Sequence, residues 1–307
     1  MSGRGPVVVK KIRVINLLVA LFGIVLLIPA GNARDLQDIR RDGVLRHLAI
    51  PYANFYTGRG DGLDVELIRG FARELGVRYE LVETDWQHVF GDLTGRHAKR
   101  NGKDAQLLEA TPVRGDLVAN GMTILDWRSQ VVAFSDPTFP SGVWLVARAD
   151  SDLSPIVPAN DIAEDIRQVK AMLAGRTVLA LPNTCLDPGL YQMDATGADI
   201  RLQPRGRKLN EMVPAIINQD AESTLLDVPD ALIAMERWPG QIKVVGPVSG
   251  QQRMAVAFPK DSPELRAAFN DYLQRIRRDG SYNLLVKKYY PGVFRYFSDF
   301  FAQSDVR

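Results

Sequence analysis

Cysteine is nearly missing from this chain of 307 residues: Cys185 stands alone, which excludes an internal disulfide and any site built from several thiolates. Histidine is almost as scarce, and His47, His88 and His97 are dispersed without the paired spacing that zinc sites use. There is no glycine-rich phosphate loop and no nucleophile elbow, so no cofactor is expected. A surplus of charge of one sign is lacking as well. The formal net charge is +2, but four of the 38 basic residues (Arg4, Lys10, Lys11 and Arg13) fall in the first 33 positions, where no acidic residue stands; beyond them 34 basic residues face 36 acidic ones. A nearly neutral body has no clustered basic face for nucleic acid, and that class of partner is set aside. After residue 33 no apolar stretch is long enough to span a bilayer.

What the chain does have is the composition of an ordinary globular protein, 46% hydrophobic and 24% charged, with length enough for two domains. Its amino terminus reads as a secretion signal, residues 1–33. A basic stretch to Arg13 precedes an apolar run from Val14 to Ile28, then Pro29 and the small residues Ala30, Gly31 and Ala33 offer a cleavage site. The alternative is an uncleaved anchor, because the apolar run approaches the short end of a spanning helix. Beyond it, strand and helix patterns alternate. An apolar run from Val44 to Ile50 leads to Gly62, after which Leu63, Leu67, Ile68, Phe71 and Leu75 recur at helical spacing and Gly76 sits where a carboxyl cap belongs. Short apolar runs at 79–82, 117–124, 131–134 and 143–147 read as further strands, and the pattern starts afresh at 177–181, 223–227 and 242–245. Such alternation predicts an α/β fold in two lobes. Near the end, Ser262 and Pro263 open a helix carrying Leu265, Phe269, Leu273 and Ile276, and Gly280 stops it. The aromatic tail (Phe294, Tyr296, Phe297, Phe300 and Phe301) is too apolar to be left in water.

Four segments carry a family resemblance: Asp42 to Arg46 (DGVLR), Gly62 through Gly76, Thr123 to Arg128 running on to Asp136 and Pro137, and Arg278 to Tyr282 (RDGSY). In this order, behind a signal, they resemble solute-binding protein family 3, the periplasmic receptors of polar amino-acid uptake. The resemblance implies the type II fold of periplasmic binding proteins, two α/β lobes joined by two crossovers, with residues 34–145 and 251–307 in lobe 1 and 146–250 in lobe 2. It implies a small amino-acid-like or carboxylate ligand in the cleft, no catalysis, an inner-membrane ABC permease as partner, a monomer, and a periplasmic location. It places Arg128 on the ligand carboxylate, a task that suits the planar guanidinium fork. Thr123 and the amide of Gly121 would join the same anion. Asp227 would receive the ammonium, with capping of the following helix as the other reading. Trp86 and Tyr52 would be aromatic walls, and Thr184 and Cys185 would open a helix with free amides.

The sequence departs from the family twice. Pro182-Asn183-Thr184-Cys185 lacks the usual glycine and second hydroxyl, which leaves the ligand open, and residues 94–115 are longer than the usual connection. That stretch, basic at Arg96, His97, Lys99 and Arg100, reads as a solvated loop, or as a docking surface for a membrane partner. The helix from Gly62 and the aromatic tail also resemble the regulatory domain of membrane-bound lytic murein transglycosylases, whose lysozyme-like catalytic domain has no counterpart in these residues; that likeness points to a sensor of cell-wall peptides. A cyclohexadienyl-type dehydratase, with Asp227 as general acid, is the enzymatic alternative.

Overall fold

A computed structural model describes Gly3, residues 33–203 and residues 211–302. The expected signal, residues 1–33, lies outside the described residues except for Gly3 and Ala33. The chain begins with α1 (Leu36–Asp42), β1 (Val44–Ala49), α2 (Leu63–Leu75), β2 (Arg78–Glu83), α3 (Val89–Thr94), β3 (Arg96–Asn101), β4 (Asp104–Ala110), β5 (Leu117–Thr123), α4 (Asp126–Ser129), β6 (Ala133–Phe134) and β7 (Phe139–Ser141). It continues through β8 (Val143–Arg148), α5 (Ile162–Ala171), β9 (Thr177–Ala180), β10 (Asp199–Leu202), α6 (Met212–Ile217), β11 (Ser223–Asp227), α7 (Val228–Arg237) and β12 (Ile242–Pro247). It returns along β13 (Gln252–Phe258) to α8 (Pro263–Arg278), α9 (Ser281–Tyr289), α10 (Val293–Tyr296) and α11 (Ser298–Ala302).

These strands make two main sheets of the same design. The first runs β2-β1-β5-β13-β6 and the second β10-β9-β11-β8-β12. In each, the strand arriving from the other half of the molecule is antiparallel to its neighbours: β13 beside β5 in the first, β8 beside β11 in the second. The two crossovers lie side by side, since Gln252 pairs with Ser141 and Pro247 with Trp144. The change of sheet falls at Gly142, so the expected boundary at 145 and 146 cuts β8 in two. Sequence places that boundary late because β7 and β8 follow one another across Gly142, and nothing local says where the partner strand changes.

The helices form where period and caps agree. On α2, Leu63, Leu67, Ile68 and Phe71 are buried, and Gly76 ends the helix at φ 71° with its N–H on Ala72 O. Phe71 meets Phe269 of α8 edge to face at 5.3 Å, which clamps the two helices on the first sheet. Each such fully buried side chain contributes about 2 kcal/mol. At the start of β5, the wholly buried Asp116 carboxylate pairs with Arg34 and Arg46. The aromatic tail packs as expected: Phe301 is buried against Phe139 of β7, and Tyr296 meets Trp144 of β8, so the tail touches both sides of the crossover.

Residues 94–115 are not a solvated loop. They contain the hairpin β3 and β4, turned at Gly102-Lys103 with Gly102 at φ 62°. Gly102 at the first central position is the local signal for such a turn. The basic run masks it, because both strands have mostly exposed faces and show no apolar alternation.

Candidate functional site

The ends of β5 and β11 meet across the lobe boundary. After β5, the single turn of α4 folds Arg128 back so that its Nη1 donates to the carbonyl of Thr123 at 3.0 Å. The side chain is 1% exposed, and its Nε and Nη2 have no hydrogen-bond partner among the described residues. Two tryptophans flank the guanidinium, Trp86 at 5.3 Å and Trp127 at 5.5 Å from its central carbon. Burial draws its pKa down from the ordinary arginine value, while Cys185, Tyr191 and Asp227 act in the opposite direction. The Arg128 charge and the second lobe therefore sense one another directly.

From that lobe comes Asp227, 1% exposed. The capping reading of it holds. It is the N-cap of α7, accepting the Asp230 N–H at 3.2 Å on Oδ1. Its Oδ2 faces lobe 1, where it accepts the hydroxyl of Tyr52, and it also accepts the Cys185 thiol at 3.4 Å. Burial raises its carboxyl above the usual range, opposed by the donors Tyr52, Asp230 and Cys185 and by the Arg128 charge. Burial likewise pushes the Cys185 thiol up, so it stays neutral and serves as a donor. Thr123 adjoins that thiol from lobe 1.

Arg128, Thr123, Tyr52, Cys185 and Asp227 thus form one buried cluster with the half-buried Trp86 against it, but three expected roles change. Tyr52 is a hydrogen-bond donor to Asp227 as well as a ring. The Gly121 amide is not open to an anion, because it donates to Asp64 at 2.7 Å. This glycine is structural: it sits at φ 67°, and a Cβ would stand 2.4 Å from the Phe55 ring. The Thr184 hydroxyl is spent within its own turn, donating to Leu181 O at 2.9 Å and accepting from the Leu186 amide at 3.0 Å. Nor does a regular helix start there: the Asn183 and Gly189 amides turn onto Asp187, and a short 3-10 turn follows.

Other residues belong to the region without a sequence signature. Tyr191 donates to Cys185 O at 2.5 Å and accepts from Gln252 of β13 at 3.1 Å. Asn120 on β5 is wholly buried with both amide atoms unpartnered. At the edge of the cleft, Arg100 of the hairpin reaches across to Asp187 at 2.5 Å. Only Asn120 carries a local hint, a carboxamide inside an apolar strand.

The arrangement can hold a small zwitterion: unpaired guanidinium donors on one lobe, a carboxylate on the other, aromatic faces beside them. No group of three or more His, Cys, Asp or Glu among the described residues is placed to hold a metal.

The chain is similar to membrane-bound lytic murein transglycosylase F of Desulfosudis oleivorans, 26% identical over 280 residues; the match covers 90% of this chain and 54% of that protein, about half its length. It is similar to the L-cystine-binding protein TcyJ of Escherichia coli, 24% identical over 234 residues, 76% of this chain and 75% of that one. Among solved structures, a mutant of ArgBP from T. maritima superposes with a TM-score of 0.66 at 23% identity, over 83% of this chain and 99% of that one. An ancestral arginine-binding protein bound to arginine gives 0.62 at 22%, over 81% and 98%. These two share the type II binding-protein fold. The profile of bacterial extracellular solute-binding proteins, family 3, matches residues 104–292, and the chain belongs to that family.

Proposed function

We propose that the protein captures a small solute bearing a carboxylate and an ammonium, an amino acid or a close relative of one, and delivers it to an ABC-type permease in the membrane. One observation carries the reading: the Arg128 guanidinium is shut away from water with two of its nitrogens unpartnered. Leaving charged donors buried without acceptors is costly, and a carboxylate in the bidentate position satisfies both at once. Asp227, facing the same cluster from lobe 2, suits the ammonium. Because both charges are covered, ligand enters only when the lobes swing apart about Gly142 and the 248–251 crossover. Binding without turnover is the simplest use of such a site, since Asp227 is already engaged by Tyr52, Cys185 and the Asp230 amide. Residence as a monomer in the periplasm, behind a cleaved signal, completes the reading.

A sensor of cell-wall peptides is the second reading, favoured by the match to murein transglycosylase F over 90% of the chain. A calorimetric screen of free amino acids and small murein peptides separates the two. Saturable binding of a free amino acid supports the receptor, a response confined to peptides supports the sensor, and binding of neither overturns both.

Closure should depend on Arg100. Its ion pair with Asp187 spans the lobes and is largely shielded, with side chains 18% and 12% exposed. Asp187 keeps the Asn183 and Gly189 amides when Arg100 is removed, so the lobe itself is not disrupted. Arg100→Ala should therefore speed ligand release about fivefold in stopped-flow measurements, equivalent to about 1 kcal/mol, with little change in Tm. An unchanged release rate would mean the hairpin does not clasp the cleft.

A further inference from the structure

A cavity of about 280 Å³, lined by Tyr52 but not by Arg128, opens between the lobes. The loop from Pro51 to Asp61 forms one wall, and α7 with Val213 of α6 forms the other. Tyr52 joins it to the central cluster, lining the cavity while its hydroxyl donates to Asp227. The group that needs explaining is Asp230. It lines the cavity and is 7% exposed, yet only its backbone amide is hydrogen-bonded; its carboxyl has no hydrogen-bond or ion-pair partner among the described residues. Burial and the neighbouring Asp227 charge push it up to about 8. A second buried carboxyl beside the first costs stability and does nothing for the α7 cap, which Asp227 already supplies. The mouth carries both signs: Arg59, Asp61 and Arg237 line it, and Arg237 is near enough to Asp230 to favour its ionised form.

We propose that this cavity is a second head-group subsite, and that the ligand is a solute with an amino-carboxylate at each end. With one end held by Arg128 and Asp227, the chain of the ligand passes Tyr52 and sets its second ammonium on Asp230. Its second carboxylate faces Arg237 and Arg59. This rests on the reading of the Arg128 site above, and the test separates the two.

Four probes that share the first six carbons and differ in what C6 carries serve: norleucine (nothing), lysine (an amine), 2-aminopimelate (a carboxylate) and 2,6-diaminopimelate (both), titrated by calorimetry into the full protein and its Arg128→Ala and Asp230→Asn variants. The expected result is that 2,6-diaminopimelate binds at least about tenfold more tightly than each of the other three, a gain of one decade in Kd. Asp230→Asn should abolish that gain, leave norleucine affinity within about twofold, and keep Tm at or above the parent value, since the amide keeps the shape of the carboxyl without the cost of burying its charge. Arg128→Ala should weaken every probe. Diaminopimelate binding no better than norleucine or lysine, or an equal loss of norleucine affinity in Asp230→Asn, overturns the second subsite and leaves the first standing. No binding by any probe, or full binding in Arg128→Ala, overturns the Arg128 reading and the subsite with it.

Discussion

Replacing Arg128 with alanine is expected to weaken ligand binding by roughly 30- to 3,000-fold, corresponding to about 2–5 kcal/mol for loss of one partner from a buried charged pair. Nη1 is held by the Thr123 carbonyl, which fixes the plane of the guanidinium, while Nε and Nη2 remain for an anion. Trp86 and Trp127 keep water from its faces, so an incoming carboxylate competes with little else. Arg128→Lys, which keeps the charge but loses the fork, should fall between, losing about tenfold. Isothermal titration calorimetry on the three proteins decides the matter, and equal affinity in parent and alanine variant would remove the clamp.

Asp64→Asn should stabilise the protein, and increasingly so as pH rises. Asp64 is buried under β5 with the Gly121 amide on Oδ2 at 2.7 Å, and burial pushes its carboxyl up to about 7. In the unfolded chain its pKa is about 3.9. Between those values the folded state holds a proton that the unfolded state has lost, so folding stability falls as pH rises through that window and is flat above it. The whole change is about 4 kcal/mol, or roughly 10 °C in Tm for a chain of this size. His47 runs the other way: burial lowers it to about 4, so its contribution is present above the unfolded value near 6.5 and is lost as pH falls. Both proteins contain His47, and it cancels in the difference. Melting curves from pH 4 to 8 should show variant and parent together at the acid end and about 10 °C apart at the alkaline end. A constant gap would mean that Asp64 does not titrate in this range.

The candidate site is partly legible in sequence: the family resemblance points to Arg128 and Asp227, which follow or close the apolar runs at 117–124 and 223–227. Gly121 and Thr184 misled for a common reason: a free amide and a free hydroxyl look the same in sequence as engaged ones. Asp64, fifty-seven positions away from Gly121, takes the first, and the turn from Leu181 to Leu186 takes the second. Asp230 reads as an ordinary first-turn acid of a helix. Only the loop from Pro51 to Asp61, laid against α7, makes it a buried group facing a cavity.

Local rules were enough for α2 and α8, whose apolar period and flanking Gly76, Ser262 and Pro263 dictate their extent, and for the alternation of strand and helix that makes an α/β chain. They could not say that the chain leaves the first sheet at Gly142, that Arg100 reaches Asp187, or that Tyr52 closes on Asp227. Periodicity and capping act over a few residues and are written in neighbouring letters. Which strand pairs with which, and which charge is stripped of water, depends on groups 80 to 180 positions apart meeting at one place, and that is a property of packing.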